Sequence, residues 1–259
     1  MLLAIDIGNT NITLGVWNGR NWEQKWRLYT NQAKTADEYG VILTSLLRET
    51  DVLHQLNRAI MASVVPVLTQ TFTQLTAKYL NLDILNVTSN LDLGIAIMTE
   101  VPSAVGADRL VNAVAANNLF PGPSIVIDMG TATKFDVVSA NQEFLGGVIT
   151  PGLGLAADAL VSRAAKLTSV SLEAPPQTIG RNTVEAMQSG LIFGYVALIE
   201  GILARLKKEH PDNDQPITIL GTGGLINLIT PHTTVINHVD PWLTLTGLRL
   251  IEEKLTADS

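Results

Sequence analysis

Two short stretches of the sequence share one pattern of residues that could do chemistry. In MLLAIDIGNTNITLGV, an apolar run ends in Asp6, a glycine and small polar residues, and a second apolar run follows at once. In IVIDMGTATKFDVV, Asp128 ends an apolar run and has the same spacing to a glycine. The two aspartates are separated by close to half of the 259 residues. This repetition indicates that one structural unit was duplicated and that both copies kept the same loop.

Each loop combines groups that suit a bound phosphate. Gly8 and Gly130 let the backbone turn tightly and approach a ligand closely, because no Cβ intervenes. The amides after each glycine, with the nearby hydroxyl and amide side chains, form a concave set of donors for an anion. The aspartate beside them offers an oxygen to Mg²⁺, directly or through water. One copy alone would be interpreted as an ordinary turn, whereas the pair favours binding of a triphosphate from both sides.

A third acid, Asp108, begins the helical run DRLVNAVAA. The positive end of a helix dipole favours an ionised carboxylate there. In a loose phosphoryl-transfer transition state, a well-placed proton acceptor suffices even when it is a weak base. The simpler interpretation is that Asp108 only complements the helix dipole. Arg109 could bind a substrate carboxylate bidentately, although a surface ion pair is the usual fate of an arginine.

The elements that must position these residues follow from apolar periodicity and turn signals. Consecutive antiparallel strands are predicted at residues 2–5, 12–17 and 22–28, because Asn18-Gly19 is a strong hairpin signal. Thr35 is expected to cap a helix over 35–48, with acidic residues in its first turn. A strand at 59–65, a helix at 68–79 and a strand at 84–87 follow. The second half repeats this order, with strands at 124–127, 135–138 and 144–149, a helix at about 183–208, a strand at 217–220 and a last helix near 245–254.

The composition is that of a globular protein with an ample core, since 46% of residues are apolar and 16% are charged. No uninterrupted apolar run reaches the roughly 18 residues of a membrane span, so no membrane partner is expected. The net charge of −7 and the single basic pair Lys207-Lys208 predict no nucleic-acid partner. The chain has no cysteine and no basic N-terminal region, which together favour a cytoplasmic protein.

Further motifs give the chain a specific resemblance to a known family. Together with the two loops and the sequence Gly-Ala-Asp-Arg at 106–109, they occur in the order found in type III pantothenate kinases: Leu145-Gly146-Gly147, Pro151-Gly152, Gly180-Arg181-Asn182-Thr183, Ala186–Gly190, Thr222-Gly223-Gly224 and Asp240–Leu248. The resemblance spans nearly the whole chain. It implies an α/β fold of the duplicated ribonuclease-H-like (actin-like ATPase) type, with two similar domains at 1–118 and 119–259 and a cleft between them.

The resemblance also implies an activity: ATP-dependent phosphorylation of pantothenate at its 4′-hydroxyl, the first step of coenzyme A biosynthesis, by a homodimer. It assigns ATP to the residues of the first loop (Asp6, Ile7, Gly8, Asn9, Thr10, Asn11, Ile12 and Thr13) and to Gly130 and Thr131. Mg²⁺ is assigned to Asp6, directly or through water. Asp128 matches the ligand of a monovalent cation, K⁺ or NH₄⁺. The pantothenate site matches Gly106, Ala107, Asp108, Arg109 and Thr183, with Asp108 as the proton acceptor and parts of the pocket at the dimer interface.

The sequence departs from the family pattern in three places. Thr99-Glu100-Val101-Pro102 stands where many members have Tyr-Asp-Asn-Pro, so a tyrosine contact with the substrate is missing. Ala104 replaces a common glutamate. Lys134 replaces a frequent threonine after the second loop, where it either faces solvent on its strand or supplies charge near the phosphates.

Other residues of the chain resemble the motifs of other functional classes. Gly152-Leu-Gly154-Leu-Ala-Ala157 fits a dinucleotide-binding fingerprint, with Glu173 about twenty residues on, but the strand before it follows a hairpin and does not start a βαβ unit. The four histidines are scattered, which argues against a transition-metal site. Two alternatives stay open: a kinase for another hydroxyl compound, and a non-catalytic nucleotide-binding homologue that acts through a partner. Only the kinase predicts pantothenate-dependent release of ADP.

Overall fold

A computed structural model of the protein describes residues 1–164 and 167–257. Contacts between residues divide the chain into two units, of which the second contains residues 119–242. The first contains residues 1–118 together with the C-terminal helix that begins at Leu243. The sequence-based boundaries place this helix in the second domain, which is wrong, because it packs on strands of the first unit.

The first unit is built on a sheet with the strand order β3-β2-β1-β4-β5. Its strands are β1 (Leu2–Ile7), β2 (Asn11–Trp17), β3 (Trp22–Tyr29), β4 (Arg58–Ser63) and β5 (Ile84–Asn86), and β6 (Ala96–Ile97) is a short strand further along. Strands β1 to β3 form an antiparallel meander, and β4 pairs with β1 in parallel. The helices are α1 (Ala36–Glu49), α2 (Pro66–Leu75) and α3 (Ala107–Leu119).

Strand β1 is buried on both of its faces, which explains its continuous apolar run. Alternate residues of the strand pack in one core with helices α1 and α2: Leu3, Ile5 and Ile7. Ala4 lies opposite Gly15 of β2, and a Cβ on Gly15 would be 2.8 Å from Leu245. These small residues let the C-terminal helix approach the sheet closely.

The predicted start of α1 is confirmed in detail. The Thr35 hydroxyl accepts a hydrogen bond from the Glu38 amide at 3.3 Å, and the Glu38 carboxylate accepts one from the Thr35 amide at 2.8 Å. This reciprocal pair is a capping box, which satisfies amides that have no partner within the helix.

The second unit repeats the arrangement of the first. Its strands are β7 (Ser124–Met129), β8 (Ala132–Val138), β9 (Glu143–Pro151), β10 (Thr218–Thr222) and β11 (His238–Val239), in the order β11-β10-β7-β8-β9. Strands β7 to β9 form an antiparallel meander, and β10 pairs with β7 in parallel, as β4 does with β1. The helices are α4 (Leu153–Arg163), α5 (Thr183–Glu209) and α6 (Ile226–Ile229), and the C-terminal helix is α7 (Leu243–Ala257). The matching strand orders confirm that one unit is duplicated.

Helix α5 is long and apolar enough to cross a membrane by length and composition, a test that the core helix of a soluble protein also passes. Its buried residues pack in one core with strands β7 and β8 and helix α6: Leu191, Ile192, Ile199 and Leu203. These residues form the face of α5 that packs in the core of the second unit.

Candidate active site

The first loop is a tight hairpin between β1 and β2 whose backbone is held from one side. The Gly8 amide donates to the Asn11 carbonyl at 3.0 Å. Thr30, which is buried after the end of β3, donates from its amide to the Thr10 carbonyl at 2.9 Å and from its hydroxyl to the Gly8 carbonyl at 2.7 Å. Two carbonyls of the loop are thereby directed at Thr30. The side chains of Asn9 and Thr10 are exposed, as a binding loop requires.

Asp6 lies one residue before the end of β1, opposite Thr13 on β2 and Ala62 on β4. Its neighbours in the strand, Ile5 and Ile7, are fully buried, whereas Asp6 is half-buried. The carboxylate therefore belongs to the rim of the sheet beside the first loop, where a partly desolvated acid interacts strongly with a cation.

The structure brings Asp108 to the same edge of the first sheet. The Val64 amide, directly after β4, donates to the Ile7 carbonyl at 3.1 Å. A Cβ on Gly106 would be 3.5 Å from a methyl group of Val64 and 2.6 Å from Oδ1 of Asp108. Val64 thus links the end of β1 to the Gly106 turn, and Asp6 and Asp108 lie at one edge.

The start of α3 also fixes the orientation of the Asp108 carboxylate. Oδ1 of Asp108 accepts a hydrogen bond from the Arg109 amide at 2.9 Å. The Gly106 carbonyl accepts from the amides of Arg109 and Leu110, at 3.1 and 3.3 Å. Asp108 and Arg109 are both half-buried, so this turn presents a carboxylate and a guanidinium group at the rim of the unit.

The second loop, between β7 and β8, is held by two residues that the sequence analysis did not assign to it. The Gly152 amide donates to the Thr131 carbonyl at 3.1 Å, and a Cβ on Gly152 would be 2.2 Å from the same oxygen. The Tyr195 hydroxyl, on α5, hydrogen-bonds Thr133 Oγ1 at 2.9 Å and donates to the Pro151 carbonyl. Gly152 therefore lets the chain after β9 pack closely against this loop. Strand β9, which precedes Gly152, pairs with β8 in antiparallel, whereas the glycine loop of a dinucleotide-binding site follows a strand of a parallel βαβ unit.

Asp128 and Lys134 form an ion pair at the base of the second loop. They lie directly opposite each other on β7 and β8, and Lys134 Nζ is 2.7 Å from Asp128 Oδ2. The two side chains are only 14% and 15% exposed, so Lys134 does not face solvent. Its ammonium group takes the place beside Oδ2 that a monovalent cation would need. The residues present therefore do not fit a potassium ion at that oxygen.

The other carboxylate oxygen of Asp128 lies close to the backbone of Gly223. A Cβ on Gly223 would be 2.7 Å from Oδ1 and 2.6 Å from the Met129 carbonyl. Gly223 also has a φ of +92°, which only glycine adopts readily. The Thr222-Gly223-Gly224 motif thus packs its glycine against the acid of the second loop.

Thr183 is the first residue of α5 and is exposed. Asn182 caps the helix by accepting from the Glu185 amide at 3.0 Å, and the Glu185 carboxylate accepts from the Arg181 amide at 2.8 Å. A Cβ on Gly180 would be 2.3 Å from the Ala186 amide nitrogen. The motif around Thr183 thus has a structural role as a helix start in the second unit, whereas Gly106 to Arg109 belong to the first.

Among residues 1–164 and 167–257, no group of three or more His, Asp and Glu side chains converges on a point. Mg²⁺ commonly binds through one or two carboxylates together with waters and substrate phosphates. A rim carboxylate such as Asp6 fits a Mg²⁺ ion that arrives with a nucleotide.

Similarity to solved structures identifies the fold. Component A of (R)-2-hydroxyglutaryl-CoA dehydratase from Acidaminococcus fermentans superimposes with a TM-score of 0.58 at 13% identity, over 99% of this chain and 98% of that one. The ethanolamine utilization protein EutJ from Carboxydothermus hydrogenoformans gives 0.55 at 14% identity, over 96% and 89%. The fold is the duplicated ribonuclease-H-like fold of actin-like ATPases and sugar kinases, as predicted.

Relatives found by sequence are much more similar to this chain than these two solved structures are. The profile of the family described as type III pantothenate kinase matches residues 2–205. A type III pantothenate kinase from Moorella thermoacetica is 46% identical over 257 residues, covering 99% of this chain and 100% of the relative. One from an Exiguobacterium species is 44% identical, covering 98% and 99%. The chain belongs to the type III pantothenate kinase family.

Proposed function

We propose that the protein transfers the γ-phosphoryl group of ATP to the 4′-hydroxyl of pantothenate, which is the first step of coenzyme A biosynthesis. The observation that carries the proposal is the placement of Asp108 and the first loop at one edge of the first sheet, in a chain of this family. A kinase needs a phosphate-binding loop and a proton acceptor near each other, and this edge supplies both.

In this proposal the two loops bind the phosphates of ATP. The exposed side chains of Asn9 and Thr10 supply amide and hydroxyl donors from the first loop, and Thr131 supplies a hydroxyl from the second. Asp6 would hold the Mg²⁺ ion, directly or through water. When bound, Mg²⁺ neutralises charge on the phosphate oxygens and favours departure of ADP.

Asp108 is the proton acceptor for the attacking hydroxyl. The 4′-oxygen forms a bond to the γ-phosphorus as the bond from that phosphorus to the bridging oxygen of ADP breaks, and the hydroxyl proton passes to the Asp108 carboxylate. The Arg109 amide at Oδ1 fixes the orientation of the acid before the substrate binds. Such preorganisation is the main contribution a kinase makes, because phosphoryl transfer depends on positioning and charge.

The substrate carboxylate is assigned to Arg109, whose planar guanidinium can bind both oxygens. Gly106 and Ala107 complete the first-unit part of the pantothenate site, and Thr183 adds a contact. We place this contact at the interface of a homodimer, so that Thr183 comes from the partner chain. We also propose that the enzyme is cytoplasmic, because a chain without cysteine forms no disulfide and so has no need of an oxidising compartment.

The test is formation of ADP and 4′-phosphopantothenate from MgATP and pantothenate, with the product identified by ³¹P NMR and mass spectrometry. We expect one phosphopantothenate for each ADP. ATP binding with no pantothenate-dependent ADP would exclude pantothenate as the substrate. Hydrolysis of ATP at the same rate with and without pantothenate would favour the nucleotide-binding alternative.

A kinase for another hydroxyl compound is the second candidate, and Thr99 favours it. This residue replaces the family tyrosine, and its hydroxyl is buried without a hydrogen-bond partner in the described part of the chain. An unsatisfied buried hydroxyl calls for an explanation, and a different polar group on the substrate is the explanation that we test. A panel of pantothenate analogues with altered polar groups would reveal such a preference as a higher kcat/KM than that of pantothenate.

A further inference from the structure

The ion pair between Asp128 and Lys134 places a lysine ammonium group at the base of the second loop. The two residues face each other across an antiparallel pair of strands, so their side chains leave the sheet on the same face. The 2.7 Å separation between Nζ and Oδ2 is that of a charge-assisted hydrogen bond. A lysine held in this way keeps one positive charge at the base of the loop that contains Gly130 and Thr131.

An ammonium group can do the work of a bound potassium ion at this position. Both carry one positive charge and both attract carboxylate and phosphate oxygens, and the ammonium group does so through up to three hydrogen bonds. The ammonium of Lys134 is tethered by its own side chain, so no dissociation equilibrium empties the site. Burial also opposes its displacement, because moving Lys134 away would leave Asp128 as a buried and unpaired charge.

We propose that Lys134 is a built-in monovalent cation in this enzyme, and that the protein needs neither K⁺ nor NH₄⁺ for activity. The proposal rests on the function proposed above, in which the second loop binds a phosphate of ATP. Asp128 then orients Lys134 and does not bind a metal ion. The close approach of Gly223 to the other carboxylate oxygen is consistent with this role, because a larger residue at 223 would displace the Asp128 carboxylate.

The first test compares turnover of the wild-type enzyme in potassium chloride and in tetramethylammonium chloride at equal ionic strength. ADP is measured directly by chromatography, because a coupling enzyme that itself needs potassium would confuse the result. We expect the same kcat and the same KM for ATP in both salts. A saturable activation of the wild-type enzyme by K⁺ or NH₄⁺ would overturn the proposal.

The second test restores the threonine that is frequent in the family. Lys134→Thr should lose activity about tenfold or more without potassium, since a preorganised charge beside a reacting phosphate contributes at least that much. Potassium or ammonium should then recover the loss in a saturable way. Lys134→Arg keeps the charge and should remain insensitive to potassium. Lys208→Thr, an exposed lysine on α5, is the matched control and should behave as the wild type.

A third measurement does not depend on turnover. The melting temperature of Lys134→Thr should rise with potassium relative to tetramethylammonium, because a cation then binds the folded state alone. The wild type should show no such difference. Crystals soaked in thallium should show anomalous density beside Asp128 in the threonine variant only, and density there in the wild type would refute the proposal.

These outcomes separate this inference from the proposed function. If the wild-type protein does not phosphorylate pantothenate in either salt, the substrate assignment fails, while the melting and thallium measurements still decide the role of Lys134. If it turns over pantothenate and potassium activates it, the kinase stands and the built-in cation is wrong.

Discussion

Gly106 lies so close to Asp108 that a Cβ on the glycine would be 2.6 Å from Oδ1 of the acid. No real Cβ tolerates such a contact, so the side chain of residue 106 decides where the Asp108 carboxylate can be. The glycine of the Gly-Ala-Asp-Arg motif is therefore required by the position of the acid, and not by an unusual backbone dihedral.

Gly106→Ala tests this relationship. The added methyl group should push the Asp108 carboxylate away from the Arg109 amide, and kcat should fall by about 10²-fold, the scale at which a displacement of about 1 Å affects a reaction. ATP affinity should change little. Gly194→Ala is the control, because a Cβ there meets open space on α5. Wild-type turnover by Gly106→Ala would show that the position of Asp108 does not limit the reaction.

Asp108→Asn removes the proton acceptor and keeps the size of the side chain. We expect kcat to fall by about 10²-fold or more, as for other positioned acids and bases, while calorimetry shows unchanged binding of ATP. The exposed Asp214 offers a matched control, Asp214→Asn. A variant at position 108 with near-normal kcat would assign Asp108 to the helix dipole alone.

Tyr195→Phe tests how the second loop is held. The change removes hydrogen bonds to Thr133 and to the Pro151 carbonyl, and should lower the free energy of unfolding by about 1–2 kcal/mol. The KM for ATP should rise, because the second loop loses the hydrogen bond that links Thr133 to α5. Tyr29→Phe, at a tyrosine that is 75% exposed, should alter neither quantity. An unchanged KM for ATP would separate Tyr195 from the binding of phosphate.

Glu252 on α7 predicts a pH dependence of stability. Burial raises the pKa of Glu252, and the guanidinium of Arg58, 2.8 Å away, opposes the rise. A carboxyl group whose pKa is higher in the folded chain stabilises the fold most below its unfolded pKa of about 4.3, and this contribution is lost as the pH rises through the folded pKa.

Glu252→Gln cannot ionise, so its stability relative to the wild type should rise as the pH increases above the unfolded pKa of about 4.3. The measurement is the difference in Tm between the two proteins as a function of pH. Glu209→Gln, at an exposed acid at the end of α5, is the control. A difference for position 252 that is constant with pH, or that falls as pH rises, would contradict the raised pKa.

Much of the framework follows from local signals in the sequence. The meanders at the start of each unit follow from short apolar strands joined by turn residues, and the Thr35 cap follows from residue types three positions apart. Helix α4 was not predicted, because its Gly-x-Gly start resembles a loop. The place of α7 was also missed, since nothing local indicates that a last helix returns to the first sheet.

The site shows the same division between local and distant information. The loops and the acids at their strand ends are visible in the sequence, because the spacing of Asp and Gly is local. Thr30 and Tyr195 support these loops from distant parts of the chain, and hydroxyl groups of their kind occur throughout the sequence. The pairing of Lys134 with Asp128 can be predicted from the sequence, because a two-residue loop between β7 and β8 fixes which residues lie opposite each other.

The return of α7 to the first sheet has a consequence for biosynthesis. Leu245, Leu248 and Ile251 complete the packing of that sheet, and a Cβ on Gly247 would touch the Val111 carbonyl at 2.2 Å. Residues 1–118 are therefore synthesised before the helix that packs on β1, β2 and β4. The packing of the first sheet is complete only after α7 has been synthesised, whereas residues 119–242 of the second unit all precede α7 in the chain and can fold before it.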